Sequence, residues 1–469
     1  MKGFGDLYKS RKKNNKTTKP SKEHIFDLAI QFHLKGNISE AAKYYRYSIS
    51  QGFNDHKAFF NYGTILQSLG KFKEAEFLIL KAIELKPDYS DAHNNLGNIY
   101  RELGKLQEAE KLLIKAIELN PFFAEAHLNL ATIFYKLGKL QEAELSTRKA
   151  IELKPDLAEA YSNLGSILID LGKLNELLLL SKSTLKSKTI DQEYKLIAKL
   201  RIAIANLLRK DFSATLLYLN KIKELINQGV VDKIKSEESK KYLCAYFEFI
   251  SLLYPLLEKK NEQPDVDLIP HLGESHCLSF AHQTLSISSK LNQIQPVLIT
   301  GGKAWHFANN QNNQWKSALT QQIKNHTYSD KVFISFGEID CRKDEGILNY
   351  SIKYDKDIAE VCEETIKGYV NYMEEILSPN YSERYYFGVA APTRGKKLLD
   401  DIDVKRIKMV RLYNSILKKE VLSRSSNFLD VYKLTSNKDG INNNIHMCDD
   451  YHLSPKCLSI LFMNYLYKS

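Results

Sequence analysis

The strongest constraint on what this chain can fold into is a period of 34 residues. Gly36, Gly70, Gly104, Gly138 and Gly172 recur at that interval, as do Ala41, Ala75, Ala109 and Ala143. Ala58, Ala92, Ala126 and Ala160 keep the same step, and so do Pro87, Pro121 and Pro155. One unit, SDAHNNLGNIYRELGKLQEAEKLLIKAIELNP (90–121), shows the logic. Leu96, Ile99, Tyr100 and Leu103 have helical spacing, Gly104 breaks the helix, and a second apolar stripe runs through Leu106, Ala109, Leu112, Leu113, Ala116 and Ile117. Gly97 and Ala109 are small, which lets paired helices approach closely. A helix–turn–helix of this length cannot bury its apolar faces alone and must stack on its neighbours. An α-solenoid is therefore expected over 22–190.

The unit resembles the tetratricopeptide repeat, very specifically over 90–172 and well over 56–190. The first unit, from about 22, has Phe53 where proline falls elsewhere. The last has Leu177 in place of the small alanine and Thr189 in place of proline, and atypical end units are expected where an array must be capped. The resemblance implies a superhelix whose concave groove takes a protein or peptide partner. Asn61, Asn95, Asn129 and Asn163 match a position that in similar repeats hydrogen-bonds an extended peptide backbone. The alternative is that these asparagines cap or bridge within the array. No residue of the array suggests catalysis.

Composition is that of an ordinary globular chain, 43% hydrophobic and 26% charged, so a sizeable core can form. Lysine and arginine number 67 against 56 acids, a net charge of +11, and much of the excess is local. Residues 2–22 carry Lys2, Lys9, Arg11, Lys12, Lys13, Lys16, Lys19 and Lys22 against Asp6 alone. Segment 1–21 reads as a solvated basic tail, with a weak arm for an anionic partner as the lesser reading. Without an apolar core region it is not expected to be a secretory signal. The run FEFISLLYPLL (247–257) contains Glu248 and Pro255 and falls well short of the ~20 residues needed to span a bilayer. Six cysteines (Cys244, Cys277, Cys341, Cys362, Cys448, Cys457) show no CxxC spacing. That argues against a zinc ribbon or a disulfide framework and fits a reducing cytoplasm. His446, Cys448 and His452 come nearest to a metal set without convincing spacing, so neither metal nor cofactor is expected, and no nucleic-acid signal is evident.

Residues 191–262 lose the period but stay helical, as helices that extend the solenoid and brace it against the C-terminal part of the chain. KKNEQPDVD (259–267) has the composition of a linker. From 266 the pattern changes. VDLIPHL, PVLITGG, KVFISFG, RYYFGVAAP and NFLDVYK alternate with helix-like stretches, and a helix is expected soon after HLGESHCLSF (271–280). This βαβ rhythm predicts a parallel sheet with helices on both faces. In such sheets ligands bind at the C-terminal ends of the strands. Gly273-Glu274-Ser275-His276, Gly301-Gly302-Lys303-Ala304-Trp305-His306 and Gly337-Glu338-Ile339-Asp340-Cys341-Arg342 all come directly after apolar runs, and Asp449-Asp450-Tyr451-His452 lies near the end.

In that order these motifs resemble the SGNH (GDSL-type) hydrolases over 266–469, which implies a flavodoxin-like α/β sandwich. The resemblance makes Ser275 the nucleophile, His452 the general base and Asp449 its orienting partner. The chemistry agrees: a serine hydroxyl needs an imidazole to take its proton, and a carboxylate three residues before that imidazole lies about one turn away. Amides at Ser275 and at Gly301 or Gly302 are the candidate oxyanion donors, and Gly337 and Arg342 fall in the third block. There the family's usual G-x-N-D reads G-E-I-D, and Ile339 cannot donate. Arg342, Lys303 or His306 are the residues available to compensate, and Trp305 with His306 are candidates for the acyl pocket. The plainer readings are a turn-stabilising hydroxyl at Ser275, small packing cysteines, and a salt bridge from Glu338 or Asp340 to Arg342. Two functions are compatible with these residues: a serine esterase or O-acyltransferase on O-acyl substrates such as an acetylated glycan, or a non-catalytic adaptor with an inactive SGNH-like domain. A repeat-guided glycosyltransferase needs more chain than remains after the array.

Overall fold

The computed structural model describes residues 21–257, 266–287, 289–343, 345–393 and 400–466. The basic segment 1–21, apart from Ser21, and most of the linker 259–267 lie outside them. Two compact units are present, Met1–Leu130 and Ala131–Ser469, and the division falls inside the helix Ala124–Lys136.

In the first unit the helices Lys22–Leu34, Ile38–Ser50, His56–Ser68, Phe72–Leu85, Ser90–Glu102 and Leu106–Leu119 form successive pairs. The repeating glycine ends the first helix of each pair. At Gly104 the backbone is left-handed, with φ +75°. The Gly104 amide donates to Arg101 O at 3.1 Å and the Lys105 amide to Tyr100 O at 2.8 Å, which satisfies carbonyls the helix end would otherwise leave open. Within a pair, Ala109 and Ala116 are fully buried beside Leu96 and Ile99. A Cβ on Gly97 would meet Leu113 Cγ at 2.8 Å and Ala109 O at 3.4 Å, so the small residue sets the helix separation. Gly97→Val is expected to destabilise this unit by about 2 kcal/mol through overpacking, despite a gain in helix propensity. The urea midpoint checks it; an unchanged midpoint means that Leu113 repacks freely.

The second unit starts with the rest of that helix and continues through Leu140–Leu153, Ala158–Asp170 and Leu174–Lys186. The helices Gln192–Leu208, Phe212–Asn227 and Glu237–Leu253 come next. Six strands then form one sheet: β1 (Asp267–Gly273), β2 (Thr284–Ile287), β3 (Lys290–Leu298), β4 (Lys331–Ser335), β5 (Glu383–Phe387) and β6 (Asn427–Leu429). Their order is β2-β3-β1-β4-β5-β6, parallel throughout except that β2 runs antiparallel to β3. Each apolar run singled out in the sequence contributes to a strand. The sheet is mixed rather than purely parallel, because HLGESHCLSF ends in a 3-10 turn (Ser275–Phe280) and the segment after it, expected to be helical, forms β2. The segment TLSI puts Leu285 and Ile287 inward with Ser286 outward, a period of two that no helix can use.

Alternation along the central strands feeds two cores, one on each face. Leu272, Val332 and Ile334 pack toward the long helices Ile358–Leu377 and Asp401–Leu422. Ile269 and Phe333 pack with Phe280 and the helix Cys457–Leu466. The last repeats share the first of these cores: Leu140, Ala143, Ile167 and Leu171 join Leu319 and Ile323 of the helix Gln314–Asn325. Side chains of that helix cap the open end of Ala158–Asp170. Gln322 Nε2 donates to Ile169 O at 3.1 Å, and Asn325 Nδ2 to Leu171 O at 3.3 Å. The later helices rest on the turn after β1, where Leu243, Phe249 and Ile250 meet Cys277, Leu278 and Leu298.

Candidate functional site

Strand register gathers the motifs. Gly273 at the end of β1 pairs with Leu298 of β3 on one side and Ser335 of β4 on the other, so three loops leave the sheet at one level. The chain passes from β1 to β3 on one side and then crosses to β4 on the other. Such a reversal opens a crevice at the strands' C-terminal ends. The site lies there.

Ser275 opens the 3-10 turn after β1, and its Oγ lies 2.8 Å from His452 Nε2. His452 Nδ1 donates to Asp449 Oδ2 at 2.7 Å. The other carboxylate oxygen, Asp449 Oδ1, accepts the backbone amides of Tyr451 at 2.7 Å and His452 at 2.6 Å. Burial pushes the Asp449 carboxyl up, but the His452 ring and these amides outweigh it and hold it below the usual carboxylate range. The imidazole is thus fixed at Nδ1 by a charged acceptor while Nε2 faces the hydroxyl. This arrangement can move a proton off Ser275.

Two groups at this centre were not visible in the motifs, and both lie on the helix Glu237–Leu253. The Phe249 ring stacks on the His452 imidazole, 3.6 Å between centroids and 16° between planes. Tyr246 donates to Glu274 Oε1 at 2.6 Å. The second Glu274 oxygen is hydrogen-bonded to Ser275 Oγ. Burial raises the Glu274 carboxyl, yet the hydrogen bonds from Ser275 and Tyr246 outweigh it, and the group sits below its ordinary range. The single Ser275 hydrogen therefore has two acceptors, a carboxylate and an imidazole. A tyrosine and a phenylalanine on a helical apolar stripe look like core from sequence, which is why they gave no signal.

The GEIDCR segment divides its work. Glu338 and Arg342 form the salt bridge weighed as its plainer reading, Nη2 to Oε2 at 2.7 Å. The Arg342 guanidinium lies over the Tyr451 ring, 5.0 Å from its centroid. Asp340 is fully buried and accepts the amides of Ala304 at 2.7 Å and Trp305 at 3.1 Å, tying this loop to the one after β3. Burial pushes its carboxyl up to about 6 against those two bonds. Ile339 is buried and brings no donor. Gly337 has φ +112°, and a side chain there would strike the Tyr413 hydroxyl. The Gly302 amide is bound to Ile299 O at 3.1 Å, whereas Gly301 lies at φ +69° in the same turn.

Lys303 pairs with Glu345 at 2.8 Å. His306 accepts the Lys303 amide at 3.2 Å and stacks on Trp315, 3.4 Å between centroids. Trp305 is exposed. His276 donates from Nε2 to Tyr451 O at 3.0 Å, beside the His452 ring. Next to the centre is a cavity of about 20 Å³ reached by His271, His276 and Glu338, about the room one water molecule needs. Cys277 and Cys341 are buried and Cys448 half-buried, all as free thiols. Among the described residues no group of three or more His, Cys, Asp or Glu is placed to hold a metal ion.

The repeating asparagines bridge helices. Asn61 Nδ2 donates to Tyr45 Oη at 3.1 Å, Asn95 Nδ2 to Thr64 Oγ1 at 3.0 Å, and Asn129 Nδ2 to Asn94 Oδ1 at 2.8 Å. In the second unit Asn163 Nδ2 donates to Thr132 Oγ1 at 3.3 Å.

Comparison with known proteins bears on the repeats. The tetratricopeptide repeat family matches residues 23–50, 56–89, 78–111 and 124–157, and a further TPR repeat match covers 97–138. Similar solved structures include PilF of Pseudomonas aeruginosa, 17% identical over 48% of this chain and 97% of that one, TM-score 0.38. Another is a thermophilic TPR protein of Thermus thermophilus, 21% identical over 39% of this chain and 98% of that one, TM-score 0.33. YrrB, described as a TPR protein with an unusual peptide-binding site, is 20% identical over 44% of this chain and 99% of that one, TM-score 0.35. No curated protein matches the chain. Among the described residues no helix is long and apolar enough to cross a membrane. Repeats of this kind imply a protein or peptide partner, and the N-terminal part of this chain is an array of tetratricopeptide repeats.

Proposed function

We propose that residues 266–469 are an SGNH-like serine hydrolase, an esterase or O-acyltransferase acting on O-acyl groups such as those of an acetylated glycan. The array over 22–190 would dock it on a protein partner, with 191–262 as the brace, and the asparagines of the groove would take a peptide backbone. The observation that carries this reading is the 2.8 Å approach of Ser275 Oγ to His452 Nε2, with Asp449 on the far nitrogen. The strand order β3-β1-β4-β5-β6 supports a flavodoxin-like sandwich.

In the proposed reaction the Ser275 hydrogen turns from Glu274 to His452 as Oγ attacks the acyl carbonyl. His452 then returns that proton to the departing alkoxide, leaving an acyl-serine. Water, or the hydroxyl of an acceptor, gives its proton to His452 and attacks the acyl carbon; the acyl–Oγ bond breaks and His452 returns the proton to Oγ, regenerating Ser275 and neutral His452. Asp449 stays ionised throughout and stabilises the imidazolium. With Ile339 in the donor position, the oxyanion falls to the Ser275 and Gly301 amides, and the missing donor typically costs on the order of 10²–10³ in rate.

A second reading, a non-catalytic adaptor, is favoured by Ile339 together with the cavity of about 20 Å³ beside the centre, too small for an acyl ester. A fluorophosphonate probe and an aryl acetate separate the two. Labelling and turnover in the wild type that vanish in Ser275→Ala are expected. No labelling, with equal turnover in both proteins, assigns the domain to the adaptor.

A further inference from the structure

Within the second unit, the last repeats and the loop after β3 enclose a cavity of about 550 Å³, inside the range of ~300–1,000 Å³ typical of small-ligand pockets. Asn163, Ser166 and Arg201 line it from the helices, Thr300 and Trp315 from the α/β side, and Tyr242 from the helix that also carries Tyr246. Arg201 is the unusual member. It is only 7% exposed, and its guanidinium lies against Gly165, where a Cβ would collide with it. Nη2 donates to Ser166 Oγ at 2.9 Å and the guanidinium also bonds the Tyr242 hydroxyl, but Nε has no partner and no carboxylate among the described residues forms an ion pair with it. A buried cation without a counter-charge is costly, and an anion entering the cavity would remove that cost. Thr300 Oγ1, in the part of the lining that comes from the α/β side, is also without a partner.

The rest of the lining narrows what the anion can be. Asp170, Glu159, Glu193 and Glu238 also border the cavity and would repel a polyanion such as a phosphopeptide or nucleic acid. One planar guanidinium suits one carboxylate. Hydroxyls and an amide, with aromatic rings between them, suit a ligand dense in hydroxyl groups. We propose that this cavity binds an acidic sugar, its carboxylate on Arg201 and its hydroxyls on Asn163, Ser166 and Thr300. The site borders the Ser275 centre: the Tyr242 ring lies 4.9 Å from that of Tyr246, which holds Glu274. Binding itself does not require Ser275 to react.

Calorimetric titration of the full chain with sodium glucuronate, with glucose as the neutral control, tests the proposal. Saturable binding of glucuronate, at least tenfold tighter than of glucose, is expected. Arg201→Gln should abolish the preference, Thr300→Val should weaken binding several-fold, and Ser275→Ala should leave binding unchanged. Should Arg201→Gln fail to fold, the glucuronate preference and the Thr300→Val variant decide. Equal affinity for the two sugars, or no saturable binding, overturns the proposal. So does tight binding of a short peptide with a free C-terminus in place of glucuronate, which would give the cavity to a chain end.

Discussion

His452→Ala is expected to lower aryl acetate turnover by about 10³–10⁴-fold, if residues 266–469 act as proposed. The reason is geometric. Nε2 is the one imidazole nitrogen within 2.8 Å of Ser275 Oγ, and the Asp449 bond at 2.7 Å holds the ring in the tautomer that can accept a proton. Glu274 also touches the hydroxyl, but a carboxylate held ionised by Tyr246 and Ser275 is too weak a base to replace the imidazole. Asp449→Asn should cost about as much, ~10⁴-fold, because the amide can present an N–H to Nδ1 and favour the wrong tautomer. Stopped assays on both variants, with circular dichroism to verify folding, provide the check. Turnover within threefold of wild type in either variant would remove that residue from the mechanism.

The second large effect concerns stability. Asp170 ends the helix Ala158–Asp170 and is 3% exposed, with the Tyr135 hydroxyl 2.6 Å from Oδ2. Burial pushes its carboxyl from an ordinary 3.8 up to about 7, although the Tyr135 bond opposes this. The folded chain therefore keeps this proton at pH values where the unfolded chain has lost it. The contribution of this group to stability is greatest below pH 4, falls as pH rises through the window from 4 to 7, and levels off above. Asp340, pushed up to about 6, adds a fall of the same sign over 4 to 6. Asp170→Asn keeps an acceptor for Tyr135 and carries no charge to bury. The variant should gain on the order of 3 kcal/mol over the wild type at pH 8 and almost nothing at pH 4. Thermal midpoints of both proteins at the two pH values measure this. Parallel pH profiles would mean that Asp170 ionises freely in the folded chain.

The period of 34 residues was legible because the repeat depends on local rules: helical apolar spacing, a glycine able to adopt positive φ, and small residues where helices touch. The apolar runs from 266 onward were legible as strands for a similar reason, since a strand buried on both faces must be apolar at every position. β2 was not. Its four residues fall where a helix is expected, and only pairing with β3 makes TLSI a strand.

At the site, the sequence could name Ser275, Asp449 and His452 from motif type and order, and Asp449–His452 from local spacing. It could not say what meets the hydroxyl. Ser275 and His452 are 177 positions apart, and Glu274, Tyr246 and Phe249 complete their surroundings from two elements whose residues keep ordinary core patterns. Asp340 was one of two candidate partners for Arg342, but Glu338 takes that bridge and Asp340 accepts the amides of the loop after β3. Arg201 is one charge within a stretch expected to be helical, and only the packing of the last repeats against the α/β part buries it on a cavity wall with Nε unpaired. Local periodicity determined the elements of this protein. Which polar groups face each other, and which are left unpaired, was decided by tertiary packing, because desolvation and hydrogen-bond pairing depend on neighbours that no short stretch of chain contains.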